Sequence, residues 1–239
     1  MHLVPSEARD WLEAVRPAVD PVTDRDLFVL PPYPSIPVAR EVLAGSNVAW
    51  GAQDVHPDDA GAHTGDVSAP MLADLGCRFV EVGHAERRRD HGETPSLVAA
   101  KLRAVLRWGM EPIVCVGDPE RIAPDAAADA LVAELALLLG GLDDSSLGRV
   151  VVAYEPVWAI GAGASAAPPE VVEVVLGRMR AWLDRRGPGG QGVRLIYGGS
   201  VDPASAGPLL ELDAVDGLFV GRSALDPAVF AAIASTAVT

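Results

Sequence analysis

Seven short runs of branched and apolar residues recur along this chain, each separated from the next by a stretch long enough for a helix. The runs are Leu27 to Leu30, Val48 to Gly51, Phe79 to Val82, Ile113 to Val116, Val150 to Ala153, Arg194 to Tyr197 and Gly217 to Val220. Helical periodicity is clearest over Leu97 to Trp108, Ala126 to Leu139 and Glu170 to Arg185. This alternation predicts an α/β fold, a parallel sheet with crossover helices. A first helix begins near Ser6-Glu7, with Trp11, Leu12 and Val15 on one face. Pro31-Pro32 stops the first strand, and Pro168-Pro169 opens a helix, where proline is tolerated in the first turn. Arg186-Gly187-Pro188-Gly189-Gly190 reads as a turn or flexible loop. No composition break marks a second domain, so residues 1–239 are expected to form one.

The formal charge of −14 argues against nucleic acid or an anionic membrane as partner. An anionic substrate would need local donors to overcome the same charge. Of the 19 basic residues only Lys101 is a lysine. Cys77 and Cys115 are too few for a disulfide scaffold and each lies in an apolar run, as in reduced cytoplasmic proteins. No signal peptide or membrane-length apolar run is visible. A soluble, cytoplasmic protein is expected.

The most informative segment is Ala153-Tyr154-Glu155-Pro156-Val157-Trp158-Ala159-Ile160-Gly161-Ala162-Gly163. A strand delivers a glutamate to its end, a Pro-Val-Trp brace follows, and small residues then supply a loop able to move as a lid. Proton abstraction beside a carbonyl needs a carboxylate base on a rigid element and a cover that expels water. An ordinary strand followed by a surface loop is the plainer alternative for a lone Glu-Pro.

The whole segment resembles the base-and-lid segment of triosephosphate isomerases. Val80-Glu81-Val82-Gly83-His84-Ala85-Glu86-Arg87-Arg88 resembles that family's electrophile segment, usually Gly-His-Ser-Glu-Arg-Arg. The resemblance implies a TIM-type parallel barrel with catalytic His84, Glu155 and Glu86. Triosephosphate isomerases are themselves the type case for a neutral histidine electrophile paired with a glutamate base. Tyr197-Gly198-Gly199-Ser200-Val201 and Gly217-Leu218-Phe219-Val220-Gly221-Arg222-Ser223 follow in the family's order. They imply phosphate binding by Gly161, Ser200, Gly221 and Arg222, with Arg222 where the family has a second glycine. Gly61-Ala62-His63-Thr64-Gly65-Asp66-Val67-Ser68 resembles the intersubunit loop, which implies a homodimer with Thr64 reaching the neighbour. A small phosphorylated sugar is the expected partner, with no cofactor. His2, His56, His63 and His91 show no metal-ligand spacing in the sequence, and no metal is expected.

Several departures qualify the resemblance. The family's first strand ends in Asn-x-Lys-Met, and neither that strand nor its lysine precedes helix one here. Seven strands of the usual eight are therefore expected, with isomerase activity strongly impaired. Lys101, inside Val98-Ala99-Ala100-Lys101-Leu102, suits a structural ion pair. Glu86 would lack its lysine partner and, as a buried carboxylate, would take up a proton unless Arg87, Arg88 or Arg222 compensates. Glu81 and Gly221-Arg222-Ser223-Ala224 resemble a branch acting on other ketose phosphates such as a tetrulose phosphate, and Ala85, where the family has serine, suggests relaxed constraint or altered specificity. A non-catalytic phosphosugar-binding protein is the third alternative. Cys115, in Cys115-Val116-Gly117-Asp118 where the family has Cys-x-Gly-Glu, reads as packing near the site and not as a nucleophile.

Overall fold

A computed structural model describes residues 1–161 and 163–237. Seven parallel strands follow one another in a single curled sheet: β1 (Leu27–Val29), β2 (Val48–Ala52), β3 (Phe79–Val82), β4 (Glu111–Val116), β5 (Val151–Tyr154), β6 (Arg194–Tyr197) and β7 (Gly217–Leu218). All seven predicted runs are strands, within a residue or two of their ends. Each pairs with the next in sequence, as Ile113 with Val151 and Val151 with Arg194. Right-handed βαβ crossovers produce this order when every helix packs on the outside of the curl.

Alternation along the strands divides the core into two. Outward-facing Val80, Val82, Val114, Val116, Val152, Leu195 and Tyr197 pack on Val98, Leu102, Leu131, Leu135, Val175 and Met179 of the helices. Inward-facing Phe79, Ile113, Cys115, Val151, Ala153 and Ile196 fill the barrel with Phe28, Leu30, Ala49 and Phe219. Full burial of each large side chain contributes roughly 1.5–3 kcal/mol.

Sequence chemistry sets the helix ends. Thr94 accepts from the Leu97 N–H at the start of Pro95–Arg107, and Asp202 forms a capping box with Ser205 at the start of Pro203–Leu210. The first helix, Pro5–Val19, buries Ala8, Leu12, Val15 and Val19, while Trp11 donates to the Ala224 carbonyl at 2.8 Å.

β1 and β7 each pair on one side only. Side chains nevertheless meet across that interval. The rings of Phe28 and Phe219 stand 6.0 Å apart, and Arg194 reaches Asp26 at 2.9 Å. One expectation is corrected: the segment at 186–190 is not a free loop. Pro188–Gln191 is a short helix whose Gly189 and Gly190 are buried. A Cβ on Gly190 would lie 1.9 Å from the Leu183 carbonyl oxygen, so glycine permits a backbone contact that a larger residue would block.

Candidate active site

The carboxyl ends of β3 to β6 carry the segments singled out from sequence, and a barrel offers its polar mouth there. Glu155 follows β5 directly, its N–H donating to the Val116 carbonyl at 2.8 Å. It is 4% exposed, and its Oε2 has no hydrogen-bond partner among the described residues. Gly198, at the end of β6, makes room for it: a Cβ there would come within 2.8 Å of Glu155 Cγ.

His84 follows β3 through Gly83, whose φ of +75° favours glycine and whose missing Cβ would strike Val98 at 2.7 Å. It caps the helix Ala85–His91, its Nδ1 accepting the Glu86 N–H at 3.3 Å. That bond assigns the hydrogen of the neutral ring to Nε2, which lies 3.7 Å from Glu155 Oε2. Burial holds the His84 pKa below its ordinary value, although nearby Glu86 opposes the shift. A neutral imidazole thus presents an N–H beside an uncompensated carboxyl.

Glu81, in the middle of β3, faces the same space. Its Oε1 accepts from the Cys115 thiol at 3.5 Å, and Glu81, His84 and Glu155 each bring one polar atom within 4.8 Å of the others. Burial pushes the Glu81 carboxyl up to about 8 and raises that of Glu155 well above the carboxylate range. Burial also raises the Cys115 thiol, an inert setting that fits its reading as packing.

Two anchors hold the ends of the segment expected to act as a lid. Asp118 accepts from Tyr154 Oη at 2.9 Å and from Trp158 Nε1, fixing the near end. The Ala167 N–H donates to Tyr197 Oη at 2.7 Å, fixing the far end. Between them lies Gly161, with φ +125°, and Ala162 falls outside the described residues. Ser200, after β6, has φ +41°, a left-handed conformation costly for a non-glycine residue and most often kept at binding sites. Gly221 and Arg222 are exposed after β7, where Arg222 begins a single 3₁₀ turn through Leu225. Gly161, Ser200 and Gly221-Arg222 follow the carboxyl ends of β5, β6 and β7 respectively.

The expectation for Glu86 is corrected. Its side chain is 68% exposed, because the first turn of Ala85–His91 points it outward, so it is no buried carboxylate in need of a partner. Arg87 and Arg88 do not stand free beside it. Arg87 binds Asp54 and Glu93, and Arg88 binds Glu134 and the carbonyls of Gly83 and Cys115. Lys101 is buried between Asp54 and Glu93, a structural ion pair as expected.

Thr64 is exposed in a loop closed at its base by the His56 N–H on the Val67 carbonyl. Folding also gathers His56, Asp58 and His63 within 4.8 Å, a proximity hidden by their sequence spacing. His56 Nδ1 is taken up by the Asp58 N–H. Sequence reading had no means of finding the lid anchors Asp118, Tyr154 and Tyr197, whose partners lie 30 to 40 residues away.

The family model for triosephosphate isomerase matches residues 1–237. A triosephosphate isomerase of Thermus thermophilus is 43% identical over 98% of this chain and 94% of its own. An L-erythrulose-1-phosphate isomerase of Pectobacterium atrosepticum is 46% identical over 89% of this chain and 81% of its own. The crystal structure of a triosephosphate isomerase from Bartonella henselae superposes with a TM-score of 0.86 at 30% identity, covering 98% of this chain and 94% of that one. No described helix is long and apolar enough to cross a membrane. Sequence, strand order and mouth geometry agree, and the chain belongs to the triosephosphate isomerase family.

Proposed function

We propose that this protein interconverts dihydroxyacetone phosphate and glyceraldehyde 3-phosphate by proton transfer through an enediol. The observation that carries the reading is His84 Nε2 at 3.7 Å from Glu155 Oε2, a neutral donor facing a carboxyl base. Glu155 takes a proton from one carbon of the substrate and returns it to the neighbour. His84 polarises the carbonyl oxygen and moves the hydroxyl proton. Gly161, Ser200, Gly221 and Arg222 hold the phosphate, and the lid between Trp158 and Ala167 excludes water. Positive charge opposite the phosphate falls to Arg222, since Lys101 is committed to Asp54 and Glu93.

The test is glyceraldehyde 3-phosphate isomerisation by the purified chain beside a Glu155→Gln control, which exposes traces of host isomerase. Turnover confined to the unsubstituted chain supports the reading, and equal background from both defeats it.

A second reading, isomerisation of a tetrulose phosphate, is favoured by the Pectobacterium relative and by Glu81 in the mouth. Comparison of kcat/KM for three- and four-carbon substrates decides between them. We also propose a homodimer through the exposed Thr64 loop, checked by sedimentation of the chain beside Thr64→Arg. A cytoplasmic location fits the free, buried Cys77 and Cys115.

A further inference from the structure

A glutamate in the middle of a buried strand needs a partner, and the only polar atom within hydrogen-bond distance of Glu81 among the described residues is a weak thiol donor, Cys115 Sγ at 3.5 Å. Two strands along, at the end of β5, Glu155 Oε2 is buried with no partner among the described residues. The two carboxyls and His84 have atoms within 4.8 Å of one another. The surrounding charges do not neutralise them. Arg88, from the helix after β3, is spent on Glu134 and two carbonyls, and Arg87 on Asp54 and Glu93. Glu86 adds only further negative charge, and Cys115 from β4 is a thiol held neutral by burial. β6 contributes Gly198, which has no side chain to offer. Two like charges this close in a site closed to water cannot both persist.

We propose that Glu81 and Glu155 share a single proton across the mouth of the barrel, which makes Glu81 a positioning residue that sets the charge on Glu155. One carboxyl of the two keeps its proton while the other is ionised, so the pair carries one negative charge. When Glu155 takes a proton from substrate carbon, the pair becomes neutral with two protons, and returning that proton to the adjacent carbon restores the single charge. The pair titrates as a unit. Its loss of the second proton gives a dianion facing an anionic substrate, which closes activity on the alkaline side. Proton sharing stands on the geometry alone, whereas its effect on turnover rests on the isomerase reading.

The test separates the two. Infrared spectra of the resting protein, titrated without substrate, should show a protonated-carboxyl band at neutral pH that fades on the alkaline side. The band should vanish in Glu81→Gln, whose amide keeps the size of the side chain without the acidic proton. Glu155→Gln removes the other half of the pair and should abolish the band likewise, and it serves as the second variant if the first does not fold. Absence of the band in the unsubstituted protein, or an identical titration in Glu81→Gln, overturns the proposal. In the isomerase assay Glu81→Gln should lose the alkaline limb of the kcat/KM profile. An unchanged alkaline limb also overturns it. If the unsubstituted protein does not turn over the substrate, the isomerase reading fails and the infrared titration still decides the pair.

Discussion

The two mouths of this barrel are built on the same strands and treat charge in opposite ways. At the amino ends, Asp26, Arg78, Glu111 and Arg194 form a closed ring of ion pairs: Arg78 meets Glu111 at 2.8 Å and Asp26 at 3.0 Å, and Arg194 bonds both acids. Both guanidiniums also lie over the Phe79 ring, capping the apolar interior. At the carboxyl ends, two turns of alternation further along β3 to β6, Glu81 and Glu155 are more deeply buried and have no cation in contact. One mouth satisfies its charges and closes the barrel. The other leaves carboxyls unpaired, which stability alone does not favour and proton transfer requires. Substitutions at the carboxyl mouth should therefore move turnover, and substitutions at the amino mouth should move stability.

The largest effect is expected from Glu155→Gln. Turnover should fall by about 10²–10⁴, the usual worth of a positioned acid–base group. Melting at alkaline pH should hold steady or rise, because an unpaired carboxyl is replaced by a neutral amide. A marked loss of melting temperature together with activity would break the comparison.

Gly198→Ala comes next. The new Cβ would press on Glu155 Cγ at 2.8 Å and displace the base. Misplacement of about 1 Å costs around 10²-fold. Intact stability with KM little changed and kcat reduced would sharpen the contrast, while unaltered kcat would show that the position of Glu155 is not critical.

How much of this was legible follows from the range of each interaction. Strands such as β3 and β6 stand out because local alternation and branched residues specify them, and Glu155 and His84 stand out because each sits in a long contiguous string. Burial is not local. Glu86 looks like an interior acid in the string Gly-His-Ala-Glu-Arg-Arg, yet the first turn of its helix turns it to solvent. Arg87 and Arg88 look available beside it, yet Glu93, Asp54 and Glu134 from other elements claim them. Pro188–Gln191 reads as a loop because glycine propensity says so, and tertiary contact with Leu183 overrides it. The one sequence sign of the carboxyl pair was a charge, Glu81, inside an otherwise apolar run.

Tyr197→Phe should have a smaller effect. It leaves the buried Ala167 N–H without its acceptor, at a cost of about 1–3 kcal/mol shared between lid order and overall stability. Roughly tenfold weaker substrate turnover with faster proteolysis near Ala167 is expected. Unchanged proteolysis would show that the far end of the lid is held by something else.

The smallest effect, and the one that sets the two mouths apart most cleanly, is the pH response of Asp26→Asn. Hydrogen bonds from Arg78 hold the Asp26 carboxyl below its ordinary value, with Arg194 adding to the effect. Its contribution is therefore present above the unfolded carboxylate pKa and is lost as pH falls through the lower folded value. With side chains about half exposed, solvent screening leaves about 0.5–1 kcal/mol at stake. Glu81 has the opposite sign. Its folded pKa is raised, so its contribution is present below the unfolded value and is lost as pH rises through about 8. The difference in melting temperature between the parent chain and Asp26→Asn should shrink on acidification, whereas Glu81→Gln should gain on the parent as pH rises. Parallel curves for the two variants would mean that the mouths do not differ in how they hold charge, and turnover unchanged in Asp26→Asn places the chemistry at the carboxyl end.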